Sequence, residues 1–200
     1  MVRALLDNRK TQTRRLAWQQ CYRDDKGAVE RVCPGEPAAC FYERPSPWQR
    51  VQTGDRLWVR EHCLTWDGTT RGASYGADHP DGNLPLPAGS GRWSCRIRPS
   101  TQMPRWASRL TLVVTDVRRQ RLQDISEEDA RAEGVRTLYG EPFDSAETIS
   151  DRRRFELLWN HLHGPGAWHA NPEVIALSFE VHRCNVDAMG TEHAPAPAAA

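Results

Sequence analysis

The sequence predicts an α+β domain built around a small β-barrel, with flanking helices and long loop insertions. Three observations predict it. Strand-like segments recur without regular βα alternation. Two small helical segments carry clear start and stop signals. Two long stretches are dense in Gly, Pro and charge. A chain of 200 residues suits one domain. We place it over 1–184, with irregular insertions at about 18–54 and 67–91 and a disordered tail over 185–200.

The elements follow in order. Val2–Arg9 predicts a short helix with Ala4, Leu5 and Leu6 on its apolar side. Lys10–Arg15 reads as a polar loop or the start of a strand. Residues 18–54 contain Cys33-Pro34-Gly35-Glu36-Pro37 and Arg44-Pro45-Ser46-Pro47, the composition of a long irregular loop. Thr53-Gly54-Asp55 is a turn signal leading into a strand over Arg56–Glu61. Trp93–Arg98 predicts a short strand. Arg109–Arg121 predicts the strongest one, with β-branched residues in its first half. Ser126 is the expected N-cap of a helix whose first turn is acidic and which Gly134 stops. A second helix over Asp151–His163 places Phe155, Leu158, Trp159 and Leu162 on one face, and Gly164-Pro165-Gly166 ends it. Val174–Arg183 predicts the closing strand.

Composition narrows the class. Hydrophobic residues make up 38% and charged residues 26%, and eight Trp help supply a core. No stretch reaches the ~18–20 apolar residues of a membrane span. The N-terminal residues Met1–Asp7 lack the apolar run of a signal peptide, which predicts a cytoplasmic protein. Six cysteines without a CxxC pair predict free, mostly buried thiols. Cys21, Cys33, Cys40 and His62-Cys63 match no standard zinc spacing, and His161 and His163 diverge at i, i+2, so no metal is expected.

Net charge is +1, but it divides along the chain. Residues 1–121 hold 21 Lys+Arg against 12 Asp+Glu, or +9, and residues 122–200 hold 6 against 14, or −8. Such asymmetry hints at a nucleic-acid partner. Only Lys10 and Lys26 are lysines among 27 basic residues. Lys performs proton chemistry that Arg does not.

Asn8-Arg9-Lys10-Thr11-Gln12-Thr13-Arg14-Arg15 concentrates four basic groups and two side-chain hydroxyls of threonine, a ready anion site. A lysine among arginines has its ammonium form disfavoured by like charge and, once desolvated, serves as a base. The competing reading is a solvated basic segment after a helix. Among the tryptophans, Trp58, Trp106 and Trp159 read as core. Trp18, Trp48, Trp66 and Trp93 lie near arginines, where they serve either as stacking surfaces for bases or as anchors for loops.

Three motifs together resemble the ASCH domain family of PUA-like β-barrels, most closely its bacteriophage-encoded members: Lys10-x-x-Thr13-x-Arg15, Thr53-Gly54-Asp55-Arg56-Leu57-Trp58-Val59, and Ser126-Glu127-Glu128-Asp129-Ala130-x-x-Glu133-Gly134. Arg105-Trp106-Ala107-Ser108-Arg109, as the start of a strand, and Gly164-Pro165-Gly166-x-Trp168-x-Ala170-Asn171-Pro172 add to the resemblance, which covers about residues 1–183 without the two loops. The family pattern G-x-K-x-x-E-x-R meets Asn8 at its Gly, Thr13 at its Glu, and Arg14 at an apolar position. Thr in that place resembles the branch that hydrolyses N4-acetylcytidine. The resemblance then implies Lys10, Thr13 and Glu133 as the catalytic set. It implies Arg15 in support of them. Arg14, Arg15, Thr11, Trp58 and Arg60 are the expected substrate-binding residues, and neither a cofactor nor a metal is expected.

The chemistry of such a set is coherent. Thr13 attacks the amide, Lys10 takes its proton, Arg15 stabilises the oxyanion, and Glu133 holds Lys10 or protonates the leaving amine. Glu133 reads equally as a solvent-facing helix residue. The functions left open are amide hydrolysis on a modified pyrimidine nucleoside, non-catalytic binding of RNA or single-stranded nucleic acid, ribonuclease action, and a protein–protein role in phage assembly. Whether the chain is an enzyme, which base it reads and its oligomeric state stay open at this point. A phage-encoded chain would act in the host cytoplasm.

Overall fold

A computed structural model describes residues 1–23, 29–31, 41–67, 71–79, 81–84, 94–135 and 149–190. The described chain is mixed α and β, with antiparallel sheets and few helices. Its longest sheet is strongly curled. The chain folds as two compact units, each assembled from separate segments. Unit 1 takes Met1–Asn8, Gly54–Val114 and Phe179–Ala200; unit 2 takes Arg9–Thr53 and Thr115–Ser178.

In chain order the elements are α1 (Val2–Leu6), β1 (Gln12–Leu16), β2 (Trp18–Arg23), β3 (Val29–Arg31), β4 (Phe41–Pro45), β5 (Arg56–Trp58), β6 (Cys63–Asp67) and β7 (Gly72–Tyr75). They continue with β8 (Ser94–Arg98), β9 (Thr111–Arg121), α2 (Glu127–Ala132), α3 (Asp151–His163) and β10 (Glu173–His182). The hydrogen-bonded orders are β1-β10-β9-β5, β3-β2-β4 and β7-β6-β8. The chain crosses from one unit to the other inside β9 and inside β10.

Unit 1 packs α1 against strand residues. Five residues make no stable helix alone, so α1 persists by burying Ala4 and Leu5. Leu5, Leu110, Leu112 and Phe179 form one apolar cluster. Cys63, Met103 and Ala107 form another, covered by Trp58, Tyr75 and Trp106. A charged anchor lies beside it. Arg109 donates two parallel hydrogen bonds of 2.9 Å to the buried Glu61 carboxylate, and its guanidinium covers the Tyr75 ring at 3.9 Å.

The sheet β7-β6-β8 overlaps the segment expected to be a second loop. Within 67–91, Gly72–Tyr75 is a strand and Gly76–Asp78 a short 3-10 turn. Gly72 is what lets it pair. A Cβ there would sit 2.2 Å from the Trp66 ring across the ladder. Composition hid this strand because its residues are small rather than β-branched.

Unit 2 has the larger core: Leu122, Ile125, Val135, Phe155, Trp159, Trp168 and Val174 are all buried. Its helices match their sequence signals. The Ser126 hydroxyl accepts the Asp129 N–H at 3.0 Å, and the Ser150 hydroxyl accepts the Arg153 N–H at 3.2 Å. Gly134 (φ 77°) and Gly164 (φ 97°) take the positive φ that favours glycine at the end of each helix. One face residue departs from expectation: Leu162 is 57% exposed, because α3 outruns its core by its last turn, where Trp159 stacks on His163 instead.

Two further expectations are corrected. Residues 18–54 are not wholly irregular. β2 pairs with β3 and with β4, from Trp18↔Pro45 to Tyr22↔Phe41. Pro45 is tolerated because it closes an edge strand. The tail is not free from residue 185. The Asn185 amide donates to the carbonyls of Arg105, Trp106 and Ser108, and Val186 is buried. The remainder of the expected tail, 191–200, lies outside the described residues. Arg105–Ala107, expected to begin a strand, is a 3-10 turn leading to β9.

Candidate functional site

The site is built where the start of β1 meets the end of α2, both in unit 2. α1 ends at Asp7, and Asn8 turns the chain with φ 55°. This is the left-handed region, where Gly is easiest and Asn is the best-tolerated alternative. Replacing Asn8 by Val should cost about 1–2 kcal/mol, whereas Gly should be nearly neutral. Thermal denaturation of the two variants checks it.

Past that turn the Thr11 N–H donates to the Ala132 carbonyl at 2.8 Å, which pins the chain to the last turn of α2. Glu133 is the residue that caps α2, followed by the Gly134 turn. Lys10 and Glu133, 123 residues apart, are thereby brought together. The Lys10 Nζ lies 2.6 Å from Glu133 Oε2 and also donates to the Glu133 backbone carbonyl at 3.0 Å. They are 5% and 6% exposed, respectively, so water screens the pair little.

Arg14 closes the other side of the same carboxylate. One terminal nitrogen lies 3.3 Å from Glu133 Oε1 and the other 2.8 Å from Asp129 Oδ2, and its side chain is wholly covered. The guanidinium also stands 5.8 Å over the Phe155 ring. The second Asp129 oxygen takes Arg118 at 3.0 Å. Burial alone would push the Asp129 carboxyl up. Hydrogen bonds from Arg118 and Gln12 and the charges of Arg14 and Arg118 outweigh it and hold that carboxyl below its ordinary range.

The remaining expected site residues fall in different places. Thr13 is buried on β1, in register with Leu177 of β10. Strand alternation puts Thr13 and Arg15 on the face opposite Gln12 and Arg14. The Arg15 guanidinium lies 5.3 Å over the Trp48 ring. Thr11 is exposed. Trp58 and Arg60 belong to unit 1, where the guanidinium of Arg60 lies 4.7 Å over the Trp58 ring and donates to the Thr101 carbonyl.

Sequence reasoning missed Asp129, Arg118 and Gln12. A signal for Asp129 was present: it stands four residues before Glu133, so both carboxylates share one helix face. Arg118 and Gln12 carried no comparable signal, because strand neighbours are assigned only by pairing. Of the tryptophans near arginines, Trp18 is tied into the fold. Trp18 Nε1 donates to Glu173 Oε2 at 2.8 Å, and Arg119 grips both oxygens of that carboxylate at 2.7 Å. Hydrogen bonds from Arg119 and Trp18 pull the Glu173 carboxyl down to about 2. Trp159 is core, Trp58 and Trp106 are half-buried against the unit 1 cluster, and Trp93 lies outside the described residues.

The charge asymmetry along the chain disappears in the fold. Unit 1 holds 10 Lys+Arg and 9 Asp+Glu, or +1; unit 2 holds 17 and 17, or 0. Among the described residues no group of three or more His, Cys, Asp or Glu is placed to hold a metal ion. Cys33 and Cys40 lie outside them. The described residues include no helix long and apolar enough to cross a membrane. No protein-family model, curated protein or solved structure matches the chain.

Proposed function

We propose that the protein is an ASCH-type amidohydrolase acting on a modified pyrimidine nucleoside, with N4-acetylcytidine as the substrate to test and a PUA-like barrel as its scaffold. The observation that carries this reading is the Lys10–Glu133 pair at 2.6 Å. Family resemblance nominated these two residues from positions far apart in the chain, and they meet in a buried site. The left-handed Asn8 supports it further, as does the near-neutral charge of each unit, which suits a neutral nucleoside better than a polyanion.

In this reading the Thr13 hydroxyl attacks the acetyl carbon. Because Thr13 lies on the face of β1 opposite Arg14, its proton reaches Lys10 through a bridging water as the Lys10 proton moves onto Glu133. Glu133 then protonates N4 as the C–N bond breaks, releasing cytidine, and water frees acetate from the acylated Thr13. Arg15, on the Thr13 face of β1, stabilises the oxyanion.

The test is incubation of the protein with N4-acetylcytidine, following cytidine release. Turnover is expected, and Thr13→Val should lower kcat by at least about 10³-fold while keeping the melting temperature near that of the parent. Absence of turnover in the parent protein overturns the reading. Full activity in Thr13→Val overturns the nucleophile and leaves direct attack by water.

A further inference from the structure

An open cleft of about 470 Å³ lies on unit 2, lined by Arg9, Thr11, Glu128, Arg131, Ala132 and Gly134. Its walls bracket the buried pair in sequence. Residues 9 and 11 stand on either side of Lys10, and residues 132 and 134 on either side of Glu133. Lys10 and Glu133 turn inward, and their neighbours line the cleft. The Thr11-to-Ala132 backbone hydrogen bond ties the walls together.

The lining has a definite chemistry. Arg9 and Arg131 supply two guanidinium groups, Thr11 a hydroxyl and Glu128 one carboxylate. Arg131 is held in place from behind. Its Nε lies 3.0 Å from Asp151 Oδ2, a carboxylate 3% exposed and also bound by Arg154. A buried carboxylate gripping Nε orients the guanidinium plane, while its terminal nitrogens stay on a side chain that is 56% exposed. A fork oriented in advance loses less freedom when it binds a planar or tetrahedral anion.

The expected basic segment 8–15 is thus divided by the fold. Lys10 and Arg14 face internal carboxylates and Arg15 lies over Trp48, and Arg9 and Thr11 line the cleft with Arg131. We propose that this cleft binds a nucleoside monophosphate: the phosphate at Arg9, Arg131 and Thr11, and the ribose diol donating to Glu128. The volume falls in the usual range for small-ligand sites. The choice of cytosine as the base rests on the hydrolytic reading, whereas the measurement, binding rather than turnover, is separate from it.

Isothermal titration of the full chain with CMP, cytidine and inorganic phosphate tests it. CMP should bind at least about tenfold tighter than either cytidine or phosphate alone, since charge-assisted hydrogen bonds and the ribose contacts contribute together. Arg9→Gln and Arg131→Gln should each weaken CMP about tenfold, and Arg131→Lys, which keeps the charge and loses the fork, by an intermediate factor. Glu128→Gln should weaken CMP and leave phosphate unchanged. CMP binding no tighter than cytidine, or indifferent to both arginine variants, overturns the proposal. Phosphate binding as tightly as CMP overturns the assignment to a nucleotide.

Discussion

Lys10→Met should abolish hydrolysis of N4-acetylcytidine and also destabilise the fold, by about 3–5 kcal/mol, because it leaves the Glu133 carboxylate buried beside an apolar group. A stability of that order is a large part of the roughly 5–15 kcal/mol that holds a typical domain together. Loss of activity in this variant alone would therefore say little about chemistry. The double variant Lys10→Met, Glu133→Leu separates the two roles. Replacing both members of a buried pair by apolar residues is often neutral or stabilising. The double variant should recover part of the melting temperature, because Arg14 keeps Asp129 while losing Glu133, and none of the turnover. If activity returned with stability, the pair would be a structural tie between β1 and α2 and the proposed chemistry would fall. The measurement is a thermal melt beside a product assay on the same samples.

Arg14→Met should produce the second large effect. Its guanidinium is wholly covered and serves Glu133 and Asp129 together, so its removal leaves two carboxylate oxygens short of a partner. A loss of about 3–5 kcal/mol is expected at neutral pH. The loss should depend on pH with a defined sign. Asp129 has a folded-state carboxyl held below its ordinary range. Such a group contributes stability fully above its unfolded value and loses it as pH falls through the folded one. Removing Arg14 raises the folded value of Asp129, so the parent protein should keep its advantage at pH 7 and lose much of it below pH ~4. Denaturant titrations at several pH values check this. An advantage unchanged into the acid range would show that the Arg14–Asp129 contact contributes no stability.

Local signals carried much of the fold. The N-cap Ser126, the stop glycines at 134 and 164, and the β-branched start of β9 act within one or two turns, and each appears where expected. The strands of 18–54 and Gly72–Tyr75 were hidden for the opposite reason. The first lie among Gly, Pro and charged residues and the second is led by Gly72-Ala73-Ser74, and what makes them strands is a partner elsewhere in the chain. For the site, the residue types alone marked a basic segment, and family resemblance nominated Lys10 and Glu133. Neither said that Arg14 turns inward onto Glu133 and Asp129 rather than outward onto a ligand.

Charge shows the division most plainly. The sequence by itself determined how many charges there are and their order, +9 followed by −8. Only the tertiary structure decided which of them meet, and it made each unit nearly neutral. The physical reason is that Coulomb attraction falls with distance through space and rises with burial, and is indifferent to separation along the chain. Lys10 and Glu133 are 123 positions apart and 2.6 Å from one another.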